Sequence, residues 1–166
     1  MRKRFAAASI VLFLFGCGAS GPQFKPESIR PDRTGALLYV YRPNTILGIG
    51  NADVAFIHLD GRRLTRMRIG GYLALRVSPG RHKLTTTESL LGADTGRVRG
   101  ETTVTAPAGA TVYLRYTEGF KAFVPIVLPV GVIVLSQGDY RFEAVPEAEA
   151  LAEIANTKSL EQDGNG

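Results

Sequence analysis

Residues 53–69 read DVAFIHLDGRRLTRMRI, two short runs of β-branched, aromatic and aliphatic residues separated by Asp60-Gly61. An Asp-Gly pair between two such runs is typical of a two-residue β-hairpin, because both central positions of the turn need positive φ. The stretch therefore predicts two antiparallel strands joined by a tight turn, and a domain built from β-sheet.

Similar runs continue on both sides of this hairpin. Pro79-Gly80 is typical of a turn with Pro second and Gly third, and Gly70-Gly71 marks another boundary between runs. The predicted strands are residues 36–42, 53–59, 63–69, 72–78, 81–88, 97–106 and 110–117. With a further strand at 130–135, this spacing predicts a mainly β fold, an antiparallel β-sandwich of about seven to eight strands.

One helix is expected near the C-terminus. Pro146 is suited to a helix start, and Glu147 and Glu149 are favourable near its positive N-terminal end. Its predicted apolar face consists of Leu151, Ala152, Ile154 and Ala155. The folded domain is therefore predicted to span residues 35–156, and residues 157–166 are predicted to be a disordered tail.

The N-terminus has the pattern of an export signal. Arg2, Lys3 and Arg4 precede an uncharged apolar run at residues 5–15. A spanning helix needs about 20 apolar residues, so this run fits the core of a cleavable signal peptide better than a permanent anchor. Residues 1–16 are accordingly predicted to be a signal peptide.

The single cysteine of the chain, Cys17, directly follows that run. Leu14, Gly16 and Cys17 resemble the lipobox of bacterial lipoproteins. The resemblance implies cleavage between Gly16 and Cys17, and attachment of lipid, including fatty acids such as palmitate, to Cys17. Gly18, where aspartate would favour the inner membrane, points to the outer membrane facing the periplasm. The alternative is an ordinary secretory signal, or an unprocessed chain, in which Cys17 is an incidental or buried thiol.

Residues 17–34 are predicted to be a lipid-anchored tether. Pro22, Pro26 and Pro31 interrupt a stretch without apolar periodicity. At about 3.1 Å per residue, an extended tether of this length would hold the domain roughly 50 Å from the lipid.

Charge gives little support for nucleic-acid binding. The net charge of +5 falls to +2 once the three basic residues of the signal are removed. Residues 17–142 are basic, with 16 Lys and Arg against 9 Asp and Glu, whereas residues 143–166 have one Lys and six acids. A basic body could attract anionic lipids or phosphates, or the acidic tail could lie on its own domain.

A basic cluster lies on consecutive predicted strands. Guanidinium groups pair with phosphate in bidentate fashion, so this cluster is a candidate anion-binding site for anionic lipid, lipopolysaccharide phosphate or an acidic partner. The alternative is a solvated sheet face. The candidate residues are Arg62, Arg66, Arg68 and Arg76.

Residues 122–135 form a second notable feature, a run of 14 uncharged residues interrupted by Pro125, Pro129 and Gly131. We expect an irregular connection over 124–129 that leads into a buried strand at 130–135. The alternative is an exposed apolar loop that dips into the bilayer or contacts a partner. Its candidate contact residues are Phe123, Ile126 and Val127.

Catalytic patterns are absent from the sequence. Neither His58 nor His82 has a metal-ligand spacing, and there is no nucleophile elbow or phosphate-binding P-loop. His58 is predicted to be a partly buried strand residue, and His82, between two basic residues, to be solvated. We therefore expect no enzyme activity, no metal and no cofactor.

Four short motifs carry a family resemblance: YVYRP at 39–43, IHLDGR at 57–62, GGY at 70–72 and VSPGRH at 77–82. Together they resemble a family of small bacterial lipoproteins carrying a domain of unknown function, and the middle resembles PEGA-type surface-protein domains. The resemblance implies a β-sandwich of prealbumin-like or carboxypeptidase-regulatory-like type, and no enzyme chemistry.

These patterns together predict a lipid-anchored cell-envelope protein whose β-sandwich is a binding or scaffolding module for another envelope component. The expected partners are the membrane, through the lipid on Cys17, and an envelope protein. Nucleic acid and a small-molecule substrate are not expected. The alternative is a periplasmic carrier or sensor that holds a small apolar ligand or lipid near residues 120–135.

Overall fold

The computed structural model describes residues 19–26, 31, 33–44, 55–90, 92–128 and 131–163, with the backbone course alone for 119–139. The predicted signal peptide and the Gly16-Cys17 site lie outside these residues. Within them the chain is mainly β, with nine strands and one short helix. The elements are β1 (Ala36–Arg42), β2 (Ala55–Leu59), β3 (Arg62–Met67), β4 (Gly71–Val77), β5 (Gly80–Leu90), β6 (Ala93–Ala106), β7 (Thr111–Leu128), β8 (Gly131–Ala144), α1 (Glu147–Ile154) and β9 (Lys158–Ser159).

The strands form two sheets. One has the order β8-β7-β1-β4-β9 and the other β3-β2-β5-β6. In the first sheet, β1 is antiparallel to β4 but parallel to β7, with Leu37 opposite Thr111. The expectation of a purely antiparallel arrangement is therefore wrong for this sheet. The reason is topological, since the chain completes the whole second sheet between β1 and β7.

The predicted turns have two different roles. Asp60 and Gly61 have φ angles of 50° and 81°, and they close the β2–β3 hairpin as predicted. The turn before Gly71 and the bend at Pro79-Gly80 instead carry the chain between sheets, because β4 belongs to one sheet and both β3 and β5 belong to the other. Strands that follow each other in sequence are therefore not always paired.

The first core cluster draws on strands of both sheets. Leu38 and Val40 of β1 are fully buried against Ile57, Leu64 and Leu84 of the second sheet. Their alternation with the tyrosines of β1 predicts a strand with one buried face, yet every residue of β1 is buried. The other face of β1 must therefore also be covered.

A second cluster covers that tyrosine face. Tyr39 and Tyr41 of β1 pack with Phe24, which precedes the sheet in sequence, and with α1. The helix begins directly after Pro146, as predicted, and buries Ala150 and Ile154. Leu151 is partly buried, whereas the other two predicted members of the apolar face, Ala152 and Ala155, are exposed.

The two ends of the described chain meet on this face, which differs from the predicted tether and disordered tail. The backbone N–H of Phe24 donates to the carbonyl of Thr157 at 3.0 Å, and that of Ser159 donates to Pro22 at 2.7 Å. Thr157 is fully buried, and β9 pairs with β4. Residues 157–160 are ordered because Lys158 and Ser159 form β9, the edge strand of the first sheet.

Strands β7 and β8 form a long hairpin of 18 and 14 residues. Their register runs continuously from Leu114 opposite Ala144 to Leu128 opposite Gly131, with one irregularity after Phe120. The expected irregular connection over 124–129 is thus wrong for 124–128, which is strand. The pairing of β1 with β7 ends at Arg115, which is opposite Glu143 of β8. Beyond this point lies the outer part of the hairpin, residues 116–128 and 131–142, and no third strand pairs with it among the described residues.

Candidate functional site

The four predicted anion-binding arginines do not form one site. Arg66 and Arg68, together with Arg63, line an open cavity of about 700 Å³, which we call the arginine cavity. Arg62 and Arg76 line a different cavity of about 370 Å³. Arg76 is separated from Arg66 and Arg68 because β4 and β3 belong to different sheets. Arg62 is the first residue of β3 and lines the second cavity although Arg66 is on the same strand.

The C-terminal segment lies against the strand between these two cavities. The N–H of Asp163 donates to the carbonyl of Leu64 at 2.6 Å, and the Thr65 hydroxyl donates to the carbonyl of Glu161 at 2.6 Å. Glu161 and Asp163 line the arginine cavity, and Gln162 lines the other. The acidic end of the chain therefore lies on its own basic domain, one of the two arrangements that the charge distribution suggested.

Two of the cavity arginines are held against an aromatic ring. The guanidinium carbons of Arg63 and Arg66 lie 5.3 Å and 5.1 Å from the centroid of Phe56. Arg66 also donates to the carbonyl of Gly92, and Arg63 pairs with Asp163 at 3.2 Å. Cation–π contact and a backbone hydrogen bond fix these charged groups, which lowers the conformational entropy lost when an anion binds.

Arg68 follows the end of β3 and differs from its neighbours. It is exposed, and no ion pair or hydrogen bond to its guanidinium occurs among the described residues. Its side chain lines the wall of the arginine cavity and is accessible to solvent.

Asp94 is the one carboxylate of the cavity that belongs to a strand. Its carboxylate accepts from Thr87 Oγ1 at 2.6 Å and from the Gly96 N–H at 2.9 Å, and lies 3.1 Å from His58 Nε2. Burial acts to raise the pKa of Asp94, but the hydrogen bonds from Thr87 and Gly96 and the nearby His58 outweigh it, and the pKa is lowered. Asp94 is thus an ionised group that is already engaged by its neighbours. His58 is partly buried, as predicted.

A second titratable pair closes the β2–β3 turn. His82 is buried, and its Nδ1 lies 2.7 Å from Asp60 Oδ2 while its Nε2 lies 2.7 Å from the carbonyl of Ser78. Both partners are acceptors, so the ring satisfies both only when it is protonated on both nitrogens. The hydrogen bond to Asp60 raises the pKa of His82, and the same bond lowers the pKa of Asp60. The prediction of a solvated His82 was wrong.

An ionic network ties the helix to the long hairpin. Arg115 of β7 donates to Glu143 at 2.8 Å, Glu149 at 2.9 Å and Glu153 at 2.5 Å. Tyr41 donates to Glu153 at 2.6 Å. No sequence pattern predicted this network, because its members are far apart in the chain and meet only when the helix packs on the sheet.

The base of the outer hairpin is held by a buried ion pair. Arg42, the last residue of β1, lies 2.7 Å from Glu118 of β7, and their side chains are 5% and 7% exposed. Arg42 also donates to the carbonyl of Met67 at 3.3 Å, and its guanidinium lies 5.7 Å from the ring of Tyr116. The pair links the end of β1 to β7 just after the residues where the two strands stop pairing.

The three predicted apolar contact residues lie on the outer part of this hairpin. Phe123, Ile126 and Val127 occupy register positions opposite Ser136, Ile133 and Val132 of β8. The structure thus places them together on one strand near the hairpin end, and their role in contacting a partner stays a prediction.

The segment after the predicted lipid site is attached to the domain beside the arginine cavity. The N–H of Ala19 donates to the carbonyl of Ile69 at 3.3 Å, and Ser20 and Gly21 line the cavity. A Cβ at Gly21 would overlap the carbonyl of Ser159, so only glycine fits this close approach.

Other kinds of site find no support in the described part of the chain. It contains no group of three or more His, Cys, Asp or Glu side chains that could hold a metal ion. No helix in it is long and apolar enough to cross a membrane.

These features define a mainly β domain with a basic cavity and a long hairpin. Residues 32–127 match the family described as "Protein of unknown function (DUF2846)". The chain belongs to this family, which confirms the predicted domain of unknown function. The match runs from before β1 into the outer part of β7, so it includes the whole second sheet. No curated protein and no solved structure was found to match the chain.

Proposed function

We propose that this protein is a lipid-anchored component of the bacterial cell envelope, held by lipid on Cys17 in the outer membrane and facing the periplasm. Its β domain serves as a non-catalytic binding or scaffolding module for another envelope protein. We further propose that the two sheets pack as a β-sandwich related to PEGA-type and prealbumin-like domains. The shared core of β1 with strands of the second sheet supports this packing.

The observation that carries the scaffolding role is the outer part of the β7–β8 hairpin. Its two strands pair with each other, and no further strand pairs with either of them there among the described residues. Residues 122–135 have no charge. Open strand edges and apolar patches are typical surfaces for pairing with another protein. The contact residues that we propose there are Phe123, Ile126 and Val127.

The carrier or sensor alternative has less support. A site for a small apolar ligand is usually a concavity that surrounds most of the ligand. A two-stranded hairpin offers two edges and two faces, which suit a protein partner better than an enclosed ligand.

The scaffolding role is tested by crosslinking in cells. A photo-crosslinking amino acid at Ile126 should capture one defined envelope protein, whereas the same amino acid at Val98, an exposed apolar residue on β6, should not. Val127→Asp should then reduce capture from Ile126 while the free energy of unfolding stays unchanged.

Two outcomes would contradict this role. If Val127→Asp prevents folding, residues 120–135 belong to a core. If it alters neither folding nor capture, the hairpin is not the contact surface.

The anchor is tested separately by labelling cells with radioactive palmitate. We expect label in the wild-type chain and none in Cys17→Ala. A Cys17→Ala chain that still incorporates palmitate would overturn the proposed lipid site.

A further inference from the structure

The arginine cavity lies very close in sequence to the proposed lipid site. Ser20 and Gly21 form part of its wall, and Ala19 is fixed to the backbone of Ile69. Two residues of extended chain span at most about 7 Å, so a lipid on Cys17 would hold this cavity at the membrane surface. Because Ala19 is hydrogen-bonded to the domain, the predicted tether cannot hold the domain roughly 50 Å from the lipid.

The cavity is suited to a phosphate group. Arg63 and Arg66 are oriented by Phe56, and Arg68 is exposed at the wall. Guanidinium groups bind phosphate oxygens through paired, charge-assisted hydrogen bonds. Close to a membrane, each basic residue contributes about 1 kcal/mol to attraction toward anionic lipid.

Three acidic residues also line the cavity, and they differ in how far each can compete with a bound anion for the arginines. Asp94 is engaged by Thr87 and His58. Glu161 is exposed. Asp163 pairs with Arg63 across side chains that are 34% and 49% exposed, and exposed pairs of this kind contribute little stability. An incoming phosphate can therefore compete with Asp163 for Arg63.

We propose that the arginine cavity binds the phosphate headgroup of an anionic lipid in the leaflet that holds the Cys17 anchor, and that Asp163 is an internal competitor for this site. The inference rests on the proposed lipid anchor, since the anchor brings the cavity to the headgroups. It gives the basic residues of β3 a role distinct from that of the hairpin.

The test uses the full chain purified from cells and reconstituted into phosphatidylcholine vesicles that contain photoreactive phosphatidylglycerol. The measured quantity is crosslinked phosphatidylglycerol per protein. Arg68→Gln should lower it about fivefold, which corresponds to about 1 kcal/mol. Arg76→Gln removes the same charge from an exposed arginine of the other cavity and should leave it unchanged.

Asp163→Asn gives a test with the opposite sign. Removing the competing carboxylate should raise crosslinking, which loss of folding would not do. An equal fall in Arg68→Gln and Arg76→Gln would show attraction by overall charge and overturn the site. No change in Arg68→Gln, or no rise in Asp163→Asn, would also overturn it.

One control distinguishes a lipid headgroup from free phosphate as the ligand. A second control distinguishes the headgroup site from the proposed lipid anchor on Cys17. If the chain binds inorganic phosphate without vesicles and yields no phosphatidylglycerol crosslink in them, the cavity binds free phosphate and the lipid assignment is wrong. Palmitate labelling is measured on the same preparation. A labelled chain without crosslinking overturns the headgroup site alone, whereas crosslinking by an unlabelled chain overturns the anchor alone.

Discussion

His82 lies between Arg81 and Lys83 in the sequence, a setting that predicts a solvated ring. In the structure the ring is buried, because the Asp60 carboxylate at the β2–β3 turn reaches β5 and also accepts the N–H of Lys83 at 2.8 Å. A protonated imidazole thus joins the turn, β5 and the carbonyl of Ser78. The chemistry of this residue depends on a partner 22 positions away in sequence.

This pair predicts a pH dependence of stability. Because the pKa of His82 is raised above 6.5 in the folded protein, its contribution is complete below pH 6.5 and is lost as pH rises through the raised value. Asp60, whose pKa is lowered from 3.8, contributes above that pH and loses its contribution as pH falls through the lowered value. The free energy of unfolding, measured in urea, should therefore decrease as the pH rises above 6.5.

A variant isolates the effect of the imidazole. His82→Gln should flatten this decrease, whereas Arg81→Gln, at the exposed neighbouring residue, should preserve it. An unchanged pH profile in His82→Gln would show that the imidazolium does not contribute.

At the scale of elements, the sequence predicted correctly the features that depend only on neighbouring residues, such as a tight turn or a single strand. Asp60-Gly61 fixed the β2–β3 hairpin, and the strand at 36–42 coincides with β1. Pairing between distant segments had no such signal, and the parallel contact of β1 with β7 is the main example. Pro125 suggested a break, yet it lies within β7, where the strand has an open edge among the described residues and proline is tolerated.

The candidate site was predicted only in part for the same reason. The sequence identified Arg66 and Arg68 as members of one basic surface, and they do line one cavity. It could not show that Arg76 lies elsewhere, because that depends on the change of sheet between β3 and β4. Nor did it show that Arg62, which shares β3 with Arg66, lines the other cavity.

The base of the long hairpin depends on the buried Arg42–Glu118 pair. Removing the carboxylate from a buried ion pair leaves the other charge buried without its ionic partner at 2.7 Å, so Glu118→Gln should lower the free energy of unfolding by about 3 kcal/mol. Glu101→Gln is the matched control, because Glu101 pairs with Lys83 at 2.8 Å but both side chains are half-exposed. We expect a change below about 1 kcal/mol there.

Urea unfolding of the three proteins decides this prediction. Equal destabilisation by Glu118→Gln and Glu101→Gln would mean that burial of the pair is unimportant.

At the scale of the whole molecule, the two ends of the described chain complete the fold together. Phe24 packs edge-on against Tyr39 and Tyr72, with ring centroids 5.7 Å and 5.3 Å apart. Gln23 forms a bridge with Lys158 of β9. Residues 19–24 of the predicted tether are therefore part of the domain, and residues 157–159 hold Gln23 and Phe24 in place.

Loss of the Phe24 ring should weaken the attachment of residues 19–26 to the domain. Phe24→Ala removes a buried aromatic ring, so the free energy of unfolding should fall by about 3 kcal/mol, and proteases should cut residues 19–26 more readily. Gln23→Ala, which loses an exposed hydrogen bond to Ala155, should have a much smaller effect. If both variants resist proteolysis like the wild type, Phe24 does not hold the segment.

The pairing of Phe24 with Thr157 has a consequence for the order of folding and lipid attachment under the proposed export. The N–H of Phe24 donates to the carbonyl of Thr157, and β9 is the last strand among the described residues. If the chain is exported as we propose, Phe24 would therefore lack this partner until Thr157 has also crossed the inner membrane. Under the proposed anchoring, the processing enzymes would reach Cys17 before the domain closes over its neighbours. Lipid attachment would then precede folding, and the finished domain would assemble already tethered to the membrane.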